Sequence, residues 1–539
     1  MITSNMGDVL SRRATRNPTA PAVVDTVTGE RLTYAELDAR ANQTANMLLG
    51  LGVAPGDRVA LLLPNCVPFL ESFYGGAKIG SILVLLNWRL VADELEYLLT
   101  DSGATVLVFS VDFAGVAAEL QRRGTTAVTH WVRVTEPGRA EPGRAEHGGA
   151  SPGAGGADGG VDGGPLGSLD YRQLRDRASA LTPPIGAGDD DVLCLCYSSG
   201  TTGRPKGAML THEGQMWAIF SNLGSSEDFN LSGNYLLVMP MFHLGGLLPM
   251  EVAIFGGSTV VIMKAFEPNA VWDVVGRERV TSGLVVPAML NAMLNVYDPA
   301  KHDLSSIRNL WCAAAPLPVT LIQQCMEKGI GLLQTYGLTE CGGPGTILGQ
   351  DDATRKVGSS GKSYLLTDVK AVRPDGTTCG PEEAGELLIR ARHVMKGYWN
   401  NPEATASAIV DGWLHTGDVA TMDEEGFVTI QDRIKDMIIS GGENIYPAEI
   451  ENVILSNAGV REVSVVAQPS AKWGESPLAV VVRSDPALTE AEVLEWCHGK
   501  VARYKQPKTV QFVDEIPRNA SGKALKRILR DRFPEPAPE

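Results

Sequence analysis

The sequence predicts an α/β fold: a large N-terminal region of multi-layer sheets wrapped by helices, followed by a small α+β domain. Three observations lead there. Short apolar runs alternate with helical patterns through most of the chain, as in parallel strands joined by crossover helices. A loop rich in glycine and hydroxyl side chains, Tyr197 to Gly207, interrupts that alternation directly after an apolar run. Near Asp432 the pattern changes, and the remaining hundred or so residues read as a compact α+β unit.

Taken in order, residues 7–17 read as a short amphipathic helix, and Val23–Asp25 with Arg31–Tyr34 as a hairpin across Thr28-Gly29. Thr33 and Glu36 have capping-box spacing, so a helix is expected over 35–51 with Leu37, Ala41, Ala45 and Leu48 on one face. Strands over 57–63, 81–86 and 105–109 enclose a helix over 69–79. Between Glu136 and Gly164 the pattern breaks. Glu-Pro-Gly-Arg-Ala occurs twice in succession and a Gly/Ala/Asp run follows, a composition expected to form a disordered surface insertion. Val192–Cys196 then reads as a buried strand, and a helix is expected from about Thr211. Strands follow over 235–239, 258–262, 283–286 and 309–313. In the last part, strands are expected over 463–467 and 478–482, and a helix over 489–501 with Glu492 completing its capping box.

The chain has 539 residues, 44% hydrophobic and 20% charged, which suits a large globular core. A formal net charge of −16 argues against nucleic acid as a partner. Eight cysteines are scattered, and Cys194 and Cys196 are read as facing opposite sides of one strand, so neither a disulfide nor a metal pair is expected. Met1–Arg13 has no apolar core of signal-peptide length, and no stretch is long enough to span a bilayer. These features predict a cytoplasmic protein with no transmembrane segment; a homodimer is left open.

The glycine-rich loop carries the chemistry. Ser198, Ser199, Thr201 and Thr202 supply hydroxyl donors, Gly200, Gly203 and Gly207 let backbone N–H groups approach an anion, and Lys206 adds a mobile positive charge. Such a loop cradles a polyphosphate, although its spacing is not that of a Walker A loop. Five further stretches carry functional side chains: Pro240-Met241-Phe242-His243; Gln334-Thr335-Tyr336-Gly337-Leu338-Thr339-Glu340; Trp413 to Asp418; Asp432-Arg433-Ile434-Lys435-Asp436 with Ser440-Gly441-Gly442; and Pro517 to Lys523. By chemistry alone, a ring such as Tyr336 can stack on a base and a carboxylate such as Glu340 can hold Mg²⁺. Asp418 can accept hydrogen bonds from vicinal hydroxyls. Each stretch also has a plain structural reading as a turn, a strand end or a solvated surface charge.

In this order and spacing, from roughly Leu32 to Arg530, the motifs resemble those of the adenylate-forming superfamily, which holds acyl-CoA synthetases, adenylation domains of peptide synthetases and beetle luciferases. One departure is Ser198, where the family often has Thr. The resemblance implies the adenylate-forming enzyme fold and the use of ATP, Mg²⁺ and CoA. It implies a domain of residues 1–434 that binds ATP and the acid, and a mobile domain of residues 435–539 that turns about a hinge at Lys435. It assigns the glycine-rich loop to the phosphates, Ala315 and Tyr336 to adenine, Asp418 and Arg433 to ribose, Thr339 to the α-phosphate, and Glu340 with Thr201 to the metal. It places His243 beside the carboxylate substrate, Gly441 and Gly442 along the pantetheine channel, and Lys523 in the active site for adenylation only.

The activity so implied is that of an AMP-forming acyl-CoA synthetase. Small residues after Glu340, including Gly342 and Gly343, leave room for an acyl pocket lined by Met239, Met241, Leu244 and Leu247, which suits a medium- to long-chain fatty acid. An aryl acid such as benzoate or cinnamate is the alternative substrate, and a carrier-protein thiol the alternative acceptor.

Overall fold

The computed structural model describes residues 5–135, 164–184, 186–198, 204–225, 233–314, 317–440, 443–470, 472–503, 505–518 and 524–535. The Glu136–Gly164 insertion lies outside these residues except for its last glycine.

Two large sheets and the helices between them form the N-terminal region. The nine-stranded sheet runs, in spatial order, Lys362–Ser363, Gly343–Leu348, Gly331–Leu338, Asn309–Cys312, Ser282–Val285, Asn234–Leu237, Thr259–Ile262, Pro21–Asp25 and Arg31–Thr33. Its six central strands, Gly331–Leu338 through Pro21–Asp25, are parallel and its outer pairings are antiparallel. The seven-stranded sheet is parallel from Leu169–Asp170 to Val192–Ser198 and closes with an antiparallel strand, Lys206–Thr211.

Residues from both sheets share one core with helices Met6–Arg16, Tyr34–Gly50, Val67–Ile79 and Leu244–Gly256. Helix Val67–Ile79 is buried along its whole length, and its two charged residues are paired there, Glu71 with Arg175 and Lys78 with Asp38. Gly75 lets it approach helix Tyr34–Gly50, because a Cβ at that position would fall 2.8 Å from the Ala41 carbonyl oxygen. Leu37, Ala41, Ala45 and Leu48 face this core as the periodicity requires. Burying a leucine there stabilises the fold by about 1.5–3 kcal/mol. The Thr33–Glu36 capping box is formed, with the Thr33 N–H donating to Glu36 Oε2 at 2.8 Å. The same motif at Thr489 and Glu492 opens helix Glu490–Cys497.

A third sheet is antiparallel. It holds Thr367–Val372, Gly385–Ala391, Ile409–Val410, Trp413–Met422 and Val428–Arg433. A fourth, from Ile438 onward, packs Val460–Ser470 against Gly474–Arg483 and carries helices Pro447–Leu455, Glu490–Cys497 and Lys526–Arg532 around its own apolar clusters.

The helix expected from about Thr211 starts at His212, but two other sequence expectations need correction and one strand is unexpected. That strand is Lys206–Thr211, which pairs back on Val192–Ser198. A polar Lys-Gly start masks the short apolar run that makes this strand. Alternation of strands and helices also does not continue to Asp432, because the antiparallel sheet over Thr367–Arg433 intervenes. Finally, Cys194 and Cys196 lie on the same face, as positions i and i+2 of a strand must. Both thiols are buried in the main core while Leu195 joins a separate cluster on the other side.

Candidate active site

A cavity of about 580 Å³ opens where the first three sheets meet. Its floor is the carboxyl end of the parallel strands in the nine-stranded sheet, where open α/β sheets bind their ligands. Leu284, Trp311, Ala313 and Thr335 come from there. The seven-stranded sheet contributes Tyr197, Ser198 and Lys206, and the antiparallel sheet Glu386, His415, Thr416, Gly417 and Arg433.

Thr339 and Glu340 sit in a single 3₁₀ turn after strand Gly331–Leu338, and both face the cavity. Glu340 Oε1 accepts hydrogen bonds from Ser198 Oγ at 2.8 Å and from the Tyr398 hydroxyl at 3.0 Å. Among the described residues, its second oxygen carries no hydrogen bond. One carboxylate oxygen turned to a cavity beside hydroxyls suits Mg²⁺, which is held by one or two carboxylates together with substrate phosphates. Lys206 Nζ lies 5.1 Å from the centre of the Tyr398 ring.

Opposite, Asp418 is buried in strand Trp413–Met422 and held from two sides. The Tyr336 hydroxyl donates to its Oδ2 at 2.5 Å, and Arg433 Nε stands 3.2 Å from its Oδ1. Tyr336, expected against adenine, is not part of the cavity lining, whereas its neighbours Thr335 and Gly337 are. Alternation along the strand turns the ring toward Asp418. Nearby, Glu386 accepts the Gly417 N–H at 3.1 Å and lies 2.8 Å from His415 Nδ1.

His243 precedes helix Leu244–Gly256 and lines the cavity. Its Nε2 is buried without a hydrogen-bond partner. Burial, helped by the nearby Arg89 charge, pushes its pKa down to about 4, so the ring is neutral at pH 7.

Of the residues assigned to the acyl pocket, Met239, Leu244 and Gly343 line the cavity. Met241 and Leu247 do not. Both are buried in the main core, where the Met241 N–H donates to Asn65 Oδ1 at 3.0 Å. Gly342 does not line it either. Its φ is +69°, and a Cβ there would fall 1.8 Å from the His393 carbonyl oxygen, so it shapes the turn behind Glu340.

Ser199, Gly200, Thr201, Thr202, Gly203, Ala315, Gly441, Gly442 and Lys523 lie outside the described residues. Ala314, just before Ala315, has φ +74°, a left-handed backbone rare for a residue with a Cβ. Lys435 is exposed, between Arg433, which pairs with Asp418, and Asp436, which accepts from Arg530 at 3.1 Å. Partial desolvation of its ammonium lowers its pKa, against the opposing pull of Asp436. Sequence reasoning missed Tyr235, Trp311, Tyr364 and Asn222 at the apolar end of the cavity, and Glu386 and Tyr398 at the polar end. Only the Gly397-Tyr398-Trp399 run offered a local signal for any of these.

Fold and site together present a cavity at the carboxyl ends of a parallel sheet, with Glu340 and Lys206 among its polar lining and Met239, Leu244, Leu248 and Val252 among its apolar lining. The family model described as AMP-binding enzyme matches residues 10–399, and that of the AMP-binding enzyme C-terminal domain matches residues 449–523. A long-chain-fatty-acid–CoA ligase of Mycobacterium tuberculosis is 41% identical over 99% of this chain and 100% of its own length. A feruloyl-CoA synthase of Amycolatopsis sp is 39% identical over 99% and 100%. Among solved structures, o-succinylbenzoate CoA synthetase from Bacillus subtilis, in complex with its acyl-adenylate intermediate, superposes with TM-score 0.82 at 32% identity, covering 98% of this chain and 99% of that one. The chain belongs to the AMP-binding enzyme family. It is an AMP-forming acid–thiol ligase, and such ligases use ATP, Mg²⁺ and CoA.

Proposed function

We propose that this chain adenylates a medium- to long-chain fatty acid with ATP and then transfers the acyl group to CoA. One observation supports this above the rest: the Ser198–Glu340–Tyr398 cluster and Lys206 share a cavity with an apolar wall of Met239, Leu244, Leu248 and Val252. In the first half-reaction the substrate carboxylate oxygen attacks the α-phosphorus of ATP, and pyrophosphate leaves with the bonding electron pair. No protein nucleophile is required. Catalysis lies in aligning the reactants and placing donors where charge develops.

In this reading Lys206 and the loop residues Ser199 to Gly203 hold the phosphates, Ala315 borders the adenine, and Tyr336, expected there from the sequence, instead orients Asp418. Asp418 and Arg433 hold the ribose hydroxyls, Thr339 faces the α-phosphate, and Glu340 with Thr201 holds Mg²⁺. When bound, the metal neutralises phosphate charge. Lys523 bridges carboxylate and phosphate oxygens. Rotation of residues 435–539 about Lys435 then withdraws Lys523 and brings Gly441 and Gly442 to the pantetheine channel, where the CoA thiol attacks the acyl carbonyl and AMP departs. Neutral His243 stands at the entrance to the acyl wall without adding charge. We place the reaction in the cytoplasm, a reading supported by eight cysteines that are all free. Among the described residues no helix is long and apolar enough to cross a membrane.

A second reading, an aryl acid, is favoured by the rings of Tyr235, Trp311 and Tyr364 in the cavity wall. A panel of aliphatic and aryl acids with ATP and Mg²⁺, with and without CoA, read by mass spectrometry, separates the two. Acyl-CoA from aliphatic acids is the expected result. Products from aryl acids alone would replace the substrate, and acyl-AMP that ignores CoA would replace the acceptor with a carrier protein.

A further inference from the structure

The facing strand ends that carry Ser198 and Lys206 are braced from outside the cavity by helix Ala92–Ser102. On the first strand, the Tyr197 hydroxyl donates to Asp101 Oδ2 at 2.7 Å. Ahead of the second, the Pro205 carbonyl accepts from the Tyr97 hydroxyl at 3.2 Å, and the Arg204 guanidinium lies 5.3 Å over the Tyr97 ring. One helix therefore grips both sides of the hairpin.

The same helix grips the segment that reaches Glu340. The Asp101 main-chain carbonyl accepts from Trp399 Nε1 at 3.1 Å and from Asn400 Nδ2 at 3.0 Å. Lys396 to Trp399 meets strand Lys206–Thr211 through an isolated antiparallel bridge between Ala208 and Tyr398, with Trp399 N–H donating to the Gly207 carbonyl at 2.7 Å and Met209 N–H to the Gly397 carbonyl at 2.9 Å. Tyr398, between these bonds, donates its hydroxyl to Glu340. Asp101 is thus the point where the Ser198–Lys206 hairpin and the Tyr398 segment meet.

Its location is itself informative. A carboxylate in the last turn of a helix opposes the helix dipole and costs stability. The last-turn carbonyl needs an external donor, because no N–H within the helix reaches it. Asp101 uses both groups on the two elements that flank Glu340.

We propose that Asp101 and Tyr398 are positioning residues that set the distance between Glu340 and the Ser198–Lys206 strand ends, and so the affinity of the adenylation site for ATP. This rests on the adenylation reading above. Tyr398→Phe keeps the ring beneath Lys206 and removes only the hydroxyl. Asp101→Ala removes the acceptor for Tyr197, whereas Asp101→Asn retains one.

The test measures ATP–pyrophosphate exchange, thioester formation from preformed acyl-adenylate, and the thermal midpoint for all three variants. Tyr398→Phe and Asp101→Ala are expected to raise KM for ATP in exchange about tenfold, the scale of a lost hydrogen bond to a charged group. Thioester formation should stay within about twofold of the parent. Asp101→Asn should restore KM. The thermal midpoint of Asp101→Ala should fall by only a few degrees, because relief of a negative charge at the helix C-terminus partly offsets the lost Tyr197 hydrogen bond. An unchanged KM, or equal loss of both half-reactions with a much larger fall in the midpoint, would overturn the proposal. A parent enzyme that catalyses no exchange with any acid would instead overturn the adenylation reading on which it rests.

Discussion

The Tyr336 hydroxyl donates to Asp418 Oδ2 at 2.5 Å, joining two strands of different sheets that are 82 positions apart in sequence. Asp418 thereby keeps one orientation, buried next to the cavity-lining Gly417. Arg433, on the strand paired with that of Asp418, holds its other oxygen. Burial and then the Asp418 charge push the Tyr336 phenol well above its usual range, so it remains a donor at every working pH.

Tyr336→Phe should therefore leave the fold intact and weaken the ribose contact. The expected outcome is a rise of about tenfold in KM for ATP with a smaller change in kcat, the cost of releasing one hydrogen bond to a carboxylate. Steady-state kinetics at saturating acid and CoA provides the check; an unchanged KM would separate Asp418 from nucleotide binding.

Lys523→Ala should abolish acyl-adenylate formation while sparing thioester formation from preformed acyl-adenylate, because a lysine that serves one domain orientation affects one half-reaction. Single-turnover assays of each half-reaction decide this. Equal loss of both would remove Lys523 from its assigned role.

His212 makes stability depend on pH. It starts helix His212–Ser225, accepts the Met6 N–H on Nδ1 at 3.1 Å, and buries Nε2 without a partner. Burial pushes its pKa down to about 4, below the value of 6.5 for the free side chain. The unfolded chain then binds a proton that the folded chain refuses. Stability is full above pH 6.5 and declines as pH falls toward 4, by about 3 kcal/mol from this residue. His243 acts in the same direction. Urea midpoints between pH 7 and pH 4 should fall for the parent and fall less for His212→Asn, which keeps an acceptor for Met6. Parallel curves would show that His212 is not the group responsible.

Gly342→Ala is expected to destabilise the protein by at least about 2 kcal/mol, from left-handed backbone and steric overlap together. If Gly342 instead bordered the acyl pocket, the variant would fold normally and favour shorter acids. Thermal unfolding combined with a chain-length profile distinguishes the two.

The sequence by itself determined the helical and strand periodicities, the two capping boxes, and the order of the motifs that mark the family. These are local properties: Thr33 and Glu36 meet within one helical turn, and a leucine repeat specifies a buried face wherever that helix lies. Tertiary structure decided which side chains converge. Glu340 meets Ser198 and Tyr398 across 142 and 58 positions, and no pattern in any single stretch encodes that meeting. Tertiary structure also separated Met239 from Met241. Both are apolar residues in one motif, but one borders a cavity and the other is packed into the main core. Apolar character drives burial without direction, and the side of a chain that faces a cavity is set only when the sheets around it have packed.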